Sequence, residues 1–405
     1  MTGAFRAIRI GARLIAALAM MAAGASNAAP EPEAATIHIA YLTQPVQVVL
    51  PHSYLDAPPE DEGVAGARTG IADNNTTGRF THQTFVLDET IVPEGGDAAA
   101  AFRKIVGSGI RMVVTDLPAN QLTSLAALPE ARNATLLNVG AKDDQLRADQ
   151  CSANILNVVP SRAMLADALA QYLVLKRWRN VFLVSGPSAE DQAYAAAVKR
   201  SIKKFGARLA AEKAWNYDPG ARRTDTGHFA IASEVARFTQ GISYDVLVVA
   251  DEAGEFGDDL AYRTTDPRPV AGTQGMVPAA WARPFEQWGA TQLQNRFLRQ
   301  AKRWMTERDH VAWMAVRAIG EAATRARSAD PDAIVSYMKS DKFELAAFKG
   351  VKLSFRPWDN QLRQPILLVD ARSLVSVSPQ PGFIHEFSEL DTLGIDRPET
   401  QCRLR

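Results

Sequence analysis

Short apolar runs rich in β-branched residues alternate with amphipathic runs along most of the chain. The apolar runs predict strands at residues 36–42, 82–88, 111–117, 135–141, 155–161, 180–186, 207–215, 244–251 and 268–276. Several of these runs are apolar at every position, which is typical of strands covered on both faces of a parallel sheet. The pattern therefore predicts an α/β fold with doubly wound, mostly parallel sheets flanked by helices.

The amphipathic runs predict helices at residues 97–109, 162–178 and 188–206. Ser161 stands where it can cap the second of these helices. The third begins with acids and ends with lysines, an order that suits the helix dipole. Repeated strand–helix–strand units imply right-handed crossovers.

The alternation breaks near Trp281. Residues 292–327 are predicted to be nearly all helix, and two strand-like segments at 351–357 and 364–379 are joined by a turn at 357–360. Because open sheets rarely exceed about ten strands, the chain is expected to form two lobes of about five strands each. The predicted parts are a signal peptide at 1–28, lobe one at 35–157 plus 286–341, lobe two at 158–285 plus 342–380, and a tail at 381–405.

One early segment has an unusual polarity. A helix is predicted from Val64, and the polar run at 73–78 is predicted to end it and turn the chain at the lobe surface. Asn74, Asn75 and Gly78 are therefore interpreted as structural rather than ligand-binding. His38, within the first strand, is expected to lie in the core.

The N-terminus has the pattern of a secretory signal. Arg6, Arg9 and Arg13 precede an apolar run at 14–25, and small residues follow, which predicts cleavage near Ala28. The alternative is a membrane anchor, but the run is shorter than the ~20 residues that a spanning helix needs. A soluble, exported protein is expected.

Composition excludes some functions. Without the first 28 residues, 42 basic side chains face 45 acidic ones, which is unlike a nucleic-acid-binding protein. The chain contains neither a G-x-S-x-G nor a P-loop motif, and its six histidines lack metal-ligand spacing, so it is not expected to be an enzyme. Cys151 and Cys402 are either one disulfide or two buried thiols; export favours the disulfide.

The order of several segments resembles a known family. These segments lie at 66–80, 154–174, 181–198, 244–257, 269–281, 312–326, 343–355 and 361–370. They are similar to the type I periplasmic substrate-binding proteins of ABC importers, of the Leu/Ile/Val-binding kind. The resemblance implies a two-lobed periplasmic protein, a monomer that closes over a small molecule and delivers it to a permease and its ATPase.

A narrower resemblance points to a branch associated with quinoprotein alcohol dehydrogenases. It is carried by 73–80, 165–173, 221–228, 266–275, 286–297 and 389–404. It implies pyrroloquinoline quinone (PQQ), or a related metabolite, as a bound ligand rather than a catalytic cofactor. The alternatives are a branched-chain amino acid or small carboxylate as ligand, and a carrier or sensor that serves a periplasmic quinoprotein dehydrogenase.

Ligands of such folds bind between the lobes, near the carboxyl ends of the strands. The candidate ligand-binding residues are Tyr41, Gln44, Thr115, Asp116, Lys142, Arg147, Ser161, Arg162, Ser185, Tyr194, Asp251, Glu252, Gln274 and Trp281. In the family that the chain resembles, the positions of Tyr194 and of the Asp251–Glu252 pair contact ligand.

The three carboxylates of PQQ would need cations, here Lys142, Arg147 and Arg162. Its flat ring would need an aromatic face, from Tyr41, Tyr194 or Trp281. The Asp251–Glu252 pair opposes this interpretation, because two acids suit an ammonium group. The proline-rich loop at 43–63 and Arg162 depart from the amino-acid-binding pattern, so neither ligand class is settled by the sequence.

Overall fold

The structure, a computed structural model, describes residues 35–45, 58–215 and 233–404. The predicted signal peptide, most of the loop at 43–63 and the segment at 221–228 lie outside these residues. No helix in the described ranges is long and apolar enough to cross a membrane.

The first lobe is built on a five-stranded parallel sheet with the order β2-β1-β3-β4-β5. Its strands are β1 (Ala35–Thr43), β2 (Gln83–Ile91), β3 (Met112–Asp116), β4 (Thr135–Asn138) and β5 (Ile155–Asn157). Alternate residues of β1 pack into two different apolar clusters, Ile39 into one and Leu42 into the other. Both faces of the sheet are therefore covered, as the apolar runs predicted.

The second lobe has a four-stranded parallel sheet with the order β7-β6-β8-β9. Its strands are β6 (Asn180–Ser185), β7 (Arg208–Ala214), β8 (Val246–Ala250) and β9 (Val270–Gly272). The two-lobed α/β fold is thus confirmed. The exact lobe boundaries stay a prediction.

A separate antiparallel sheet takes the place of a fifth parallel strand. It has the order β10-β13-β14, formed by Val277–Ala279, Ile366–Val369 and Leu374–Ser378. The single strand predicted at 364–379 was wrong, because Asp370 accepts amide hydrogen bonds from Arg372 and Ser373 and folds the segment back on itself. The strand-like run at 351–357 contributes only Lys352–Leu353 (β12), paired with Leu345–Ala346 (β11), and one bridge from Phe355 to Leu362.

Helices cover the sheets. They include α1 (Val64–Thr81), α2 (Ala98–Gly107), α3 (Ala119–Ala126), α4 (Arg162–Leu175), α5 (Ala189–Lys204), α6 (Ala290–Ala301), α7 (Glu307–Ala326) and α8 (Pro331–Met338). The Ser161 hydroxyl accepts from the Met164 amide and caps α4 as predicted. The run at 292–327 is two helices rather than one, because α6 ends at Lys302, which has a left-handed backbone, and Thr306 caps α7.

Helix α1 does not end at its polar run. It continues to Thr81, and Asn74 is buried, donating from Nδ2 to the Val316 carbonyl 2.9 Å away in α7 and accepting from Arg317. Asparagine usually interrupts a helix by bonding its own backbone, whereas this amide bonds a neighbouring helix. The prediction of a surface turn was wrong, and the structural rather than ligand-binding role fits these contacts.

Two further expectations concern single residues. His38 is exposed on β1 and its Nδ1 lies 2.9 Å from Asp88, so the expected core position was wrong. Cys151 and Cys402 form a disulfide whose Cα atoms are 5.6 Å apart, which ties the end of the chain to the loop before β5.

The contacts of Asn74 generate a prediction about stability. Asn74→Ala should lower the free energy of unfolding by roughly 1–3 kcal/mol, because it leaves the Val316 carbonyl and the Arg317 guanidinium short of a partner in a buried contact. Urea unfolding measures the change. The control is Thr77→Ala on the exposed side of the same helix, and equal midpoints for both variants would contradict the role given to Asn74.

Candidate functional site

A cleft of about 900 Å³ lies between the two lobes. Lobe one contributes the residues that follow β1, β3 and β4, and lobe two contributes those that follow β8 and β9, together with α4 and α5. Segment 277–279 and the start of α7 complete the wall. Because parallel strands present their carboxyl ends at one edge of a sheet, two facing sheets of this kind form a binding cleft.

Some of the predicted site residues line this cleft. They are Gln44, Asp116, Lys142, Arg162, Tyr194 and Glu252. They come from both lobes, so a molecule in the cleft can contact both.

Arg147 does not line the cleft. It is buried, and its guanidinium donates to Gln361 and to the carbonyls of Ala141, Asp143 and Val159. The expectation that it supplies a free cation to a ligand is corrected, because its hydrogen bonds hold backbone segments together.

Asp251 and Gln274 are also occupied within lobe two. The Asp251 carboxylate accepts from the amides of residues 255–257, which closes the loop after β8. Gln274 Nε2 donates to the Asp251 carbonyl at 3.2 Å. Of the predicted acidic pair, only Glu252 lines the cleft.

The predicted aromatic face is largely absent from the lining. Tyr41 is buried and donates to Asp116 at 3.1 Å. Trp281 is buried, and its ring stacks on His310 with ring centroids 4.0 Å apart. Trp281 therefore packs in the apolar cluster that also contains Ile39 of β1, and it does not line the cleft.

The remaining predicted residues are buried beside the cleft. Thr115 donates to the Leu137 carbonyl, Ser161 caps α4, and the Ser185 hydroxyl accepts from Gln192. Thr115 and Ser185 are the last-but-one and last residues of β3 and β6, and Ser161 precedes α4. The side chains of all three bond neighbouring groups of the protein and do not line the cleft.

Each cation of the cleft lies next to a carboxylate. Lys142 is 3.0 Å from Glu307, and this attraction, opposed by burial, raises the pKa of Lys142. Arg308 is 3.5 Å from Asp116. The third cation, Arg162, has two acidic partners.

Arg162 forms a forked pair with Glu252, the shortest contact being 2.8 Å, and lies 3.3 Å from Asp143. Arg162 and Glu252 belong to lobe two and Asp143 to lobe one. This acidic trio, Arg162 with Glu252 and Asp143, therefore has one positive and two negative charges and spans the lobes.

The lining also contains a polar atom without a partner. Tyr194 is 2% exposed, and its hydroxyl has no hydrogen-bond partner in the part of the chain that the structure describes. Burial, and then the nearby charge of Glu252, raise the pKa of Tyr194, so the hydroxyl keeps its proton. Since buried hydroxyls are normally bonded, this one is an unsatisfied polar group in the wall of the cleft.

Across the cleft, Leu117–Gln121 bring the start of α3 to the lining. The first backbone bond of this helix runs from the Leu122 amide to the Pro118 carbonyl, and the Gln121 amide donates to the Asn120 side chain. Among the described residues, the amides of Ala119 and Asn120 are therefore the helical amides without an acceptor. Helix N-termini attract anions through such amides and the helix dipole.

Several lining residues were not identified from the sequence. They include Asn120, Gln121, Asp143, Glu190, Thr273, Glu307 and Arg308. Asp143 is adjacent to Lys142, which the sequence analysis did identify as a candidate. Asp143 could therefore have been inferred from the same loop. Glu307 and Arg308 begin a helix far along the chain, and only tertiary packing brings them to the cleft. The described residues contain no group of histidines, cysteines and acids placed to hold a metal ion.

Solved structures of similar fold are periplasmic binding proteins. A periplasmic binding protein from Burkholderia mallei is 15% identical, with a TM-score of 0.62, over 92% of this chain and 100% of that one. A leucine-, isoleucine-, valine-, threonine- and alanine-binding protein from Brucella ovis, in a closed conformation, is 13% identical, with a TM-score of 0.67, over 92% and 99%.

A third is an ABC-transporter solute-binding protein from Rhodopseudomonas palustris in complex with 3,4-dihydroxybenzoic acid. It is 13% identical, with a TM-score of 0.60, over 84% of this chain and 95% of that one. No family model and no curated protein matched the chain. At these identities the likeness shows the fold alone: that of the type I periplasmic binding proteins. These relatives in structure are binding proteins rather than enzymes.

A buried lysine lies behind the cleft wall. Lys349 Nζ donates to Gln364 at 2.7 Å and to the Pro365 carbonyl at 3.2 Å. Burial lowers the pKa of Lys349 to about 7, although Glu307 attracts its charge. His310 also lies near this lysine, and burial followed by the lysine charge lowers the pKa of His310.

The lysine generates a pH prediction. Between about pH 7 and 10.5 the unfolded chain binds the Lys349 proton more tightly than the folded chain, so stability should rise with pH across this window. Relative to Lys349→Met, the free energy of unfolding of wild type should therefore rise by roughly 1.4 kcal/mol for each pH unit inside this window.

Urea unfolding at pH 6.5 and 9.5 measures the difference between wild type and variant. Lys352→Met, which makes the same substitution at an exposed lysine, is the matched control. A wild-type-minus-Lys349→Met difference that does not vary with pH would contradict the assignment.

Proposed function

We propose that the chain is the exported solute-binding component of an ABC importer and holds a small zwitterion of the amino-acid type between its lobes. The proposal draws on the two-lobed fold, on the similarity to binding proteins of ABC transporters, and on the chemistry of the cleft. The permease and ATPase partners, the monomeric state and the periplasmic location are parts of this proposal.

The charge balance of the cleft carries the proposal. The lining contains the cations Lys142, Arg162 and Arg308, and the carboxylates Asp116, Asp143, Glu190, Glu252 and Glu307. Every cation already has a carboxylate partner, and acids exceed bases by two. Such a lining repels an anion with several charges and tolerates a ligand that brings its own cation.

A zwitterion has a place for each of its charges. Its carboxylate would lie at the N-terminus of α3, at the amides of Ala119 and Asn120. Its ammonium would lie at the acidic trio, whose excess negative charge it neutralises, within reach of the Tyr194 hydroxyl. Because α3 belongs to lobe one and the trio includes Arg162 and Glu252 of lobe two, the ligand would contact both lobes and favour the closed state over the open one.

PQQ is the second candidate, supported by the narrower sequence resemblance. Its three carboxylates would have to displace acids from Lys142, Arg162 or Arg308. Among the described residues that line the cleft, Tyr194 is the only aromatic one. It is buried, so it does not offer an exposed ring face on which the flat ring of PQQ could stack. A carrier or sensor role beside a quinoprotein dehydrogenase depends on this candidate.

A ligand panel tests the proposal. The purified chain without residues 1–28 is titrated with the twenty amino acids, PQQ, the 2-keto acids of leucine and valine, and amino-acid amides, following thermal shift and calorimetry. At least one amino acid should bind, and a ligand at 100 times its Kd should stabilise by about 2.7 kcal/mol. Loss of either the ammonium or the carboxylate should abolish binding; tight binding of PQQ with no amino acid bound would overturn the zwitterion proposal.

Tyr194→Phe separates ligand binding from stability. The hydroxyl has no hydrogen-bond partner among the described residues, so its removal should not lower the stability of the ligand-free chain. Affinity for the bound amino acid should fall by about 0.5–1.5 kcal/mol, the net contribution of one hydrogen bond. Tyr262→Phe, at a fully exposed tyrosine, is the control; equal affinities of the two variants would remove Tyr194 from the site.

A further inference from the structure

The C-terminal segment is fixed to lobe two by a buried acid. Asp167 of α4 is fully buried and pairs with Arg200 and Lys204 of α5. The same carboxylate accepts from the Gly394 amide at 2.8 Å, and both cations donate to the Gly394 carbonyl. Leu393 is buried in the apolar cluster of lobe two. This end of the segment is therefore part of the lobe-two core.

The contacts continue along lobe two to Glu399. Its carboxylate lies 2.6 Å from Arg200 and also accepts from the Asp396 amide. Residues 394–399 thus stay against lobe two through hydrogen bonds as well as packing.

The next residues are fixed to lobe one instead. The Thr400 hydroxyl donates to the Arg147 carbonyl at 2.8 Å, and Cys402 is bonded to Cys151. Arg147 is itself buried and bonded to its surroundings, so the attachment is to a rigid part of the lobe. The chain therefore passes from lobe two to lobe one between Glu399 and Thr400.

The passage is short and ends in a covalent bond. Three residue steps separate Glu399 from Cys402, and three residues of extended chain reach about 10 Å. Separation of the lobes at this point is limited to that length for as long as the disulfide is intact and the lobe-two contacts hold.

We propose that residues 390–402 form a strap that restrains lobe opening through the Cys151–Cys402 bond. The strap acts in addition to the chain passages that join the lobes as part of the fold. Its effect on ligand affinity rests on the proposed function, since a lower closed fraction weakens apparent affinity by the same factor. The restraint on opening itself does not depend on any ligand.

The test uses the ligand-free chain without residues 1–28. Small-angle X-ray scattering measures the radius of gyration, and hydrogen exchange measures protection of the Arg162 amide, which donates to the Lys142 carbonyl at 2.9 Å between the lobes. Cys151→Ser and Cys402→Ser should each enlarge the radius and speed this exchange. The two should match, because each removes the same bond.

A third variant separates strap length from stability. Three glycines inserted between Glu399 and Thr400 keep the disulfide and the buried contacts but add about 10 Å of reach. Circular dichroism selects conditions in which all variants are folded. If the insertion expands the protein as the serine variants do, the strap restrains opening by its length.

Two outcomes would overturn the proposal. One is scattering and exchange of the serine variants indistinguishable from wild type. The other is expansion of the serine variants with wild-type behaviour of the insertion variant, which would assign the effect to lost stability. Because neither readout needs a ligand, failure of the proposed function would appear only in the ligand panel.

Discussion

The buried guanidinium of Arg147 connects the segments that meet where the lobes join. Burial lowers the pKa of Arg147 to about 10, so the group stays charged at neutral pH and must be fully hydrogen-bonded. Its partners are the carbonyls of Ala141, Asp143 and Val159 and the side chain of Gln361, while its own carbonyl accepts from Thr400. Arg147 therefore contacts four segments: the loop that carries Lys142 and Asp143, the segment around Val159 that leads into lobe two, the segment around Gln361, and the C-terminal segment.

Fixing that loop has a direct effect on the cleft. Asp143 can reach Arg162 only because the loop is held, and the Arg162 amide donates to the neighbouring Lys142 carbonyl. The acidic trio is therefore positioned before any ligand arrives. Preorganised charges cost less to bring together on binding than mobile ones do, so a residue that never lines the cleft contributes to what the cleft can select.

Much of the fold follows from local pattern. Fully apolar runs, alternating with capped helices, predict parallel sheets, and β1, β3, β6 and β8 match their runs closely. The errors occur where polar groups are satisfied by distant partners. Asn74 resembles a helix stop until α7 supplies a carbonyl, and the turn after Val369 interrupts an otherwise continuous apolar run.

The candidate site was predictable only in part, for the same reason. The ends of the predicted strands indicate which loops lie near the cleft. The hydrophobic pattern does not show whether a given side chain points into the cleft or bonds to its own loop. Arg147 and Lys142 are both basic residues between β4 and β5. Arg147 is nevertheless buried and bonded to carbonyls, whereas Lys142 lines the cleft.

The locations of the segments that carry the narrower resemblance explain why it says little about the ligand. The run at 73–80 packs α1 on α7, 286–297 overlaps α6, and 389–404 forms the strap and its anchors. Of the described segments in that set, 165–173 and 266–275 do reach the cleft, through Leu165, Gly272 and Thr273, which bring no charge. Sequence similarity at residues that pack helices or join the lobes gives information about the architecture of the protein and not about its ligand. In the proposed function, ligand choice depends instead on Arg162, Glu252 and Asp143, whose charges would favour a molecule with an ammonium group over a tricarboxylate.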